Sequence, residues 1–391
     1  MAPLDYKRIA EQFGTPLYIY ETEKIRENLS SIINFITYPK IKVYYAAMCN
    51  NQPEILKIIN DLGLGVQVNT VHELNLAKEA GFSSSEISFT STGVSKELMK
   101  KLIEECVEIN LDSVEEVEKF CTLVNNRTFG VRVKIDKKIK MNSNEATNSF
   151  LESNVGIEGK YFNKIKEIAK ETGNRITGVH GYLASNVHDS KPFIQFGKFI
   201  VNVASEFPDL EYVNLSSGFG VKYSAKDKDF DFQHVLHCYS NLLRKLSKRI
   251  KREIVLKIEP GRTLMADAGS LLVRITNLKT LNPDKSEISV NAGFGEFARP
   301  KIYNSYHEIE NSEITGKSKK VYDIRGNTVL QNDFLGQDRI LEEVSEGDYL
   351  VLKKVGAYGI VMASGFPGKK LPKQILINKD KIEVIGKNRT N

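Results

Sequence analysis

At 391 residues the chain exceeds one ordinary domain and suits two, or a barrel with a companion. Apolar residues make up 41% and charged residues 27%, proportions of a globular protein that exclude disordered and fibrous classes. The net charge of +6 is spread over exposed helix faces such as 244–251 without interleaved aromatics, so no nucleic-acid partner is expected.

The opening MAPLDYKRIAEQF has no apolar signal region and no later run of 18 apolar residues follows, which predicts no membrane partner and a cytoplasmic location. Cys49, Cys106, Cys121 and Cys238 form no CxxC pair, and the six histidines show no HExxH spacing, so neither a disulfide framework nor a metal is expected.

In chain order, eight β-rich runs alternate with amphipathic helical stretches: 43–47, 65–68, 87–90, 108–111, 129–135, 177–183, 212–216 and 255–259. Ser95 and the Asp112-Ser113 pair, each followed by acids, read as helix starts. Repeated βα units of this number predict a (β/α)8 barrel of the TIM type, assigned to 25–265. Runs at 271–275, 288–290, 348–353 and 374–377, split by Gly, Pro and Asn, predict an antiparallel β-sandwich or small β-barrel built from 1–24 and 266–391.

In such a barrel the chemistry sits where strands end. That rule selects Met48–Asn51, Gln67–Thr70, Thr90–Gly93, Tyr182–Asn186, Ser216–Gly220 and Glu259–Arg262. Glycine and serine in Asn214-Leu215-Ser216-Ser217-Gly218-Phe219-Gly220 suit a loop whose backbone N–H groups approach an anion, although a plain strand-to-helix turn reads the same way. For His180 and Tyr182 in His180-Gly181-Tyr182-Leu183-Ala184-Ser185, filling of the barrel interior is the competing reading.

Several of these strings, taken with Glu259-Pro260-Gly261-Arg262, Gly356-Ala357-Tyr358, Arg299-Pro300 with Tyr303, and the stretch Gly326 to Gly336, resemble those of the ornithine, diaminopimelate and arginine decarboxylases. Those enzymes use pyridoxal 5'-phosphate (PLP) on the fold type III, alanine-racemase-like scaffold, and the resemblance runs over nearly the whole chain. It implies that Glu259 faces the pyridine nitrogen and keeps it protonated, and that Arg262, Gly261, Ser185, Ser217 and Gly218 serve the phosphate. Tyr182 takes the place of a ring-stacking histidine, and Gln67 that of an acid. Tyr358 corresponds to a tyrosine that reaches the phosphate across a dimer interface. Arg299, Tyr303 and Asp333 are implied on the substrate side, in an amino-acid-like ligand, with a homodimer as the expected assembly.

Ser216 and Ser217 stand where that family's loop has two glycines, a departure that loosens the close backbone approach, and the larger departures lie on the reacting side. Met48, in Tyr45-Ala46-Ala47-Met48-Cys49-Asn50, stands at the position of the Schiff-base lysine, and Val329 at that of a catalytic cysteine. A thioether forms no imine and carries no proton, so covalent PLP and ordinary decarboxylation are not expected. Lys42 lies about 20 Å from the strand end at ~3.3 Å per residue and does not substitute. Lys96 and Lys222 follow strand ends with nothing else to recommend them. Three readings remain open: a divergent homologue that binds PLP, a PLP adduct or another phosphate-bearing molecule with its chemistry lost or redirected; a non-catalytic partner of an active paralogue; and a decarboxylase carrying an introduced Lys-to-Met change.

Overall fold

A computed structural model of the chain describes residues 4–142 and 149–386. These divide into two compact units: one comprises 30–221 and 228–263, the other the residues before 30, 222–227 and those from 264 onward.

The first unit is a closed parallel barrel of eight strands, β2 to β9, in sequence order. They are β2 Ile41–Ala46, β3 Gly65–Val68, β4 Ile87–Thr90, β5 Glu108–Leu111, β6 Thr128–Arg132, β7 Arg175–His180, β8 Tyr212–Asn214 and β9 Val255–Ile258. β9 pairs back onto β2, Val43 opposite Ile258, and leaves no free edge. All eight predicted runs are barrel strands. β6 stops short of the predicted 135: the Val133 N–H still donates to the His180 carbonyl of β7, but Val133 also bridges to Ile157 in the following loop.

Side chains fill the barrel in layers. Lys257 of β9 is buried deep inside, ion-paired with Glu108 of β5 and lying 3.5 Å from the centroid of the Tyr212 ring. Tyr212 fits because β7 places Gly178 opposite it, where a Cβ would come within 1.9 Å of the ring. Its hydroxyl donates to Asn110, which in turn donates to Ser88 and Thr90. The polar groups of this layer are thereby satisfied.

The rim loops are fastened by helix caps, two of which, at Ser95 and Ser113, the sequence foreshadows. Ser95 accepts from the N–H of Leu98, Thr70 from Glu73 and Ser113 from Glu116. The buried Glu73 carboxylate accepts the N–H of Asn69, and that of Glu116 accepts those of Val94 and Asp112, each at 2.7–2.8 Å. Each carboxylate thus pins the loop that leaves a barrel strand.

The second unit holds a nine-stranded sheet. Its strands are β1 Leu17–Glu21, β10 Gly269–Asn282, β11 Lys285–Val290, β12 Ile309–Asn311, β13 Lys319–Arg325, β14 Phe334–Glu342, β15 Tyr349–Leu352, β16 Lys373–Asn378 and β17 Lys381–Ile385. Alternate residues of β1, β10, β15 and β16 supply one core: Leu17, Ile19, Leu272, Val351, Ile375 and Ile377. The sheet is mixed, which corrects the antiparallel expectation: β1 runs parallel to β16, and β11 to β13. Parallel neighbours need long crossovers. The first pair is separated by most of the chain, the second by 291–318 with the helix Arg299–Tyr303 and β12. Alternating polarity marks strands without giving their direction.

Among the described residues no helix is long and apolar enough to cross a membrane.

Candidate active site

Glu259 follows β9 at the rim, with its carboxylate buried. Its Oε1 accepts from Asn214 Nδ2 at 2.7 Å, and its Oε2 accepts from Ser216 Oγ at 2.9 Å and pairs with His180 Nε2 at 3.2 Å. Burial alone raises a carboxyl pKa, but His180, Asn214 and Ser216 together outweigh it and hold Glu259 below the usual glutamate range. An ionised carboxylate offers about four acceptor positions, so three donors leave one for a further N–H. His180 Nδ1 is buried with no hydrogen-bond partner among the described residues.

Ser216 explains one departure read from the sequence. Its φ is +47°, in the left-handed region where the resemblance expects glycine. The strain is matched by one contact glycine cannot make, from its hydroxyl to Glu259; its backbone N–H, which a glycine would also offer, donates to Asn214 Oδ1 at 2.8 Å. Ser217 is buried beside it. Gly218 remains essential, with φ +105° and a hypothetical Cβ only 1.8 Å from the carbonyl oxygen of Ala184. That contact joins the loop after β8 to the one after β7, where Ser185 Oγ accepts from Arg262 Nη2 at 3.1 Å.

Gly261 closes the ring of loops. A Cβ there would come within 2.9 Å of Cys49 Cβ and 3.1 Å of Ala46 Cβ, so the loop after β9 packs on the turn that ends β2. That turn, Ala47–Cys49, buries Ala47 and Cys49 and leaves Met48 47% exposed. The thioether therefore lies open at the rim instead of filling the core. Gln67 is buried at the end of β3, its amide donating to the carbonyls of Val68 and Thr90 at 3.2 and 3.4 Å. Lys96 and Lys42 are exposed, and Lys222 belongs to the other unit.

Sequence reading missed four residues of this site. Arg132, at the end of β6, is nearly buried, 3.5 Å from Asp112 and 5.6 Å from the Phe150 ring centroid. Burial lowers its pKa, opposed by Asp112 and Glu259, while burial raises that of Asp112 against the pull of Arg132. Phe150 meets Tyr182 edge-to-face at a centroid distance of 4.9 Å, and burial pushes the Tyr182 phenol up, which makes it a neutral ring beside Arg132. Asn214, fully buried, was quoted in its loop without a role. The signal was an arginine and an asparagine ending otherwise apolar strands.

The remaining expected residues lie in the second unit. Arg299 is buried, its Nε 3.4 Å from His307 Nε2 and its guanidinium near the Tyr223 ring, while Tyr303 and Val329 are largely exposed. Tyr358 takes a φ of +56° after Gly356. Asp333 is buried at the base of the β13–β14 loop.

Residues 22–266 match the family model for the pyridoxal-dependent decarboxylase, pyridoxal binding domain. The chain belongs to the pyridoxal-dependent decarboxylases. It is 30% identical to the diaminopimelate decarboxylase of Aquifex aeolicus over 97% of this chain and 91% of that protein, and 30% identical to that of Methanocaldococcus jannaschii over 99% and 91%. Among solved structures, the diaminopimelate decarboxylase of M. jannaschii superimposes with a TM-score of 0.89 at 27% identity, covering 96% of this chain and 90% of that one. The same enzyme in co-complex with L-lysine gives 0.88 at 28%, with the same coverage.

As a member of a PLP-dependent decarboxylase family, the chain can be tested residue by residue against that cofactor. A buried, ionised Glu259 with an unused acceptor position suits a protonated pyridine nitrogen, and Arg262 with Ser185 and the Gly218 turn suits a phosphate. Position 48 offers no amine. Lys257, a lysine inside the barrel, sits two residues before Glu259 on the same inward face, one layer deeper, and is engaged by Glu108 and Tyr212.

Proposed function

We propose that the barrel rim binds PLP, a PLP adduct or another phosphate-bearing amino-acid-like molecule without covalent attachment at position 48, and that ordinary decarboxylation is lost or redirected. The carrying observation is the split at one rim: Glu259 held ionised by three partners, against an exposed Met48. When bound, PLP supplies a ring that withdraws electrons from an attached amino acid. Arg262, Ser185 and the 216–218 turn would hold its phosphate. Glu259 would keep a proton on its ring nitrogen, and Tyr182, fixed by Phe150, would offer an aromatic face. None of these groups can accept and return a substrate proton as an amine at position 48 would. A homodimer and a cytoplasmic location complete the reading, on the strength of family resemblance.

The test replaces Met48→Lys. Wild type should bind PLP saturably, leave no adduct after borohydride reduction and peptide mapping, and release no carbon dioxide from diaminopimelate or lysine. Met48 is half exposed, so the variant should fold normally and give an adduct at position 48. An adduct on wild-type Lys257, or failure of PLP to bind either protein, would sink the proposal. Decarboxylation by the variant alone would show that position 48 is the sole block; an inert variant with the adduct would implicate Gln67, Tyr182 and Val329 as well.

A further inference from the structure

Ser216 grips Glu259 in three ways, all within the barrel unit. Its hydroxyl donates to Oε2 at 2.9 Å, and its carbonyl accepts the Glu259 N–H at 2.9 Å. Its own N–H donates to Asn214 Oδ1 at 2.8 Å, while Asn214 Nδ2 donates to Glu259 Oε1 at 2.7 Å. The main-chain bonds are open to any residue at 216 except proline, and the hydroxyl bond is not. Ser216 is 3% exposed and Glu259 6%, and the gap a lost hydroxyl would leave is smaller than one water's share of liquid volume.

The two oxygens of Glu259 are unequally used. An ionised carboxylate oxygen accepts about two hydrogen bonds. Oε2 takes Ser216 Oγ and, 3.2 Å away, His180 Nε2, which carries the hydrogen when its partner is ionised. Oε1 takes only Asn214 Nδ2 among the described residues. The open acceptor position is therefore on Oε1. Around this carboxylate the barrel also brings the charges of Arg132 from β6 and Lys257 from β9, and the phenols of Tyr44 from β2, Tyr182 from the loop after β7 and Tyr212 from β8. A change at 216 leaves all of these side chains in place and removes a single donor.

We propose that Ser216 is a positioning residue that reserves Glu259 Oε1 for a ligand N–H and, by drawing on the same carboxylate, makes the ligand hold its ring proton less firmly than glycine at 216 would. The ligand half rests on the binding reading above. Each hydrogen bond donated to a carboxylate stabilises its charged form and makes it a weaker base toward the next proton. A ring nitrogen that parts with its proton more readily withdraws fewer electrons from an attached amino acid, in keeping with a rim whose position 48 is a thioether.

Ser216→Gly and Ser216→Ala separate the hydroxyl from the backbone. Both delete the hydroxyl, but only glycine takes a φ of +47° without strain, so Ser216→Gly should unfold about 2–4 °C above Ser216→Ala. In the ligand-free full chain with carbon-13 at the glutamate carboxyls, the Glu259 signal is the one lost in Glu259→Gln. It should titrate at higher pH in both Ser216 variants alike, with the proton affinity of Glu259 up about three- to tenfold. No change, or a change in Ser216→Ala alone, overturns the role of the hydroxyl. With nitrogen-15 PLP bound, the ring nitrogen should likewise keep its proton to higher pH in both variants than in wild type. An identical ring titration in all three proteins overturns the ligand half even where Glu259 itself has moved. If PLP binds none of them, the binding reading and the ligand half fall together, while the ligand-free titration still decides what Ser216 does to Glu259.

Discussion

Replacing Glu259 by glutamine keeps shape and removes charge, and the structure sets the size of the effect. Three groups converge on the carboxylate: Asn214 Nδ2, Ser216 Oγ and His180 Nε2. Glutamine retains one acceptor oxygen and presents an NH2: with the oxygen toward Ser216 and His180 the NH2 meets Asn214 Nδ2, a donor facing a donor, and turned the other way it requires Ser216 Oγ and the other His180 tautomer to accept. Hydrogen bonds to charged groups contribute about 1.5–3 kcal/mol each, and an orphaned buried donor costs about 1–3 kcal/mol. Hydroxyl rotation at Ser216 recovers part of this, which leaves an expected loss of about 2–4 kcal/mol. The pH dependence separates charge from packing. Because the folded-state pKa of Glu259 is lowered, its stabilising contribution is present above the unfolded-state value and is lost as pH falls through the lower folded-state value. Urea unfolding followed by circular dichroism should therefore show wild type and Glu259→Gln furthest apart at neutral pH and converging below the ordinary glutamate range. A constant difference across that range would refute the claim that ionisation of Glu259 is what the three partners support.

Arg132 and Asp112 should behave as a coupled pair: Arg132→Met leaves Asp112 buried without its partner and should cost about 3–5 kcal/mol, whereas Arg132→Met with Asp112→Asn should recover much of it in the same unfolding assay. Additive losses would show that the 3.5 Å contact carries no coupling. Gly218→Ala forces a Cβ onto the Ala184 carbonyl at a left-handed φ, so the loops after β7 and β8 must part; a loss of at least about 1–3 kcal/mol and weakened protection by inorganic phosphate are expected. A variant with wild-type stability and phosphate response would remove Gly218 from the anion-binding account.

The barrel was legible because each strand is a short apolar run bounded by turn residues and several helix starts carry a Thr, Ser or Asp cap, signals that are local in sequence. Glu259, Arg262, Ser185 and Gly218 were legible for the related reason that barrel chemistry gathers at strand ends. Arg132 and Asp112 were not, since an arginine ending one strand and an aspartate just after another, read only as a helix start, show no pairing until the barrel closes around them. Ser216 was read as a damaged glycine, and only the bond from its hydroxyl to Glu259 shows it as a replacement with its own function. Lys257 was passed over because whether it points into the barrel depends on the strand register.

The sequence by itself determined the eight βα units, the motif-bearing rim and a thioether at position 48, because periodicity and residue chemistry require no neighbour. The tertiary structure decided how charge is balanced and which groups are already taken: Glu259 ionised among three donors, Arg132 set beside Asp112, and Asp333 bound to its own loop. Those outcomes depend on distances between residues as far apart in the chain as His180 and Glu259, or Phe294 and Asp333, and no pattern along a single segment encodes them. The direction of β1 beside β16 was decided there too, by a crossover that contains an entire barrel.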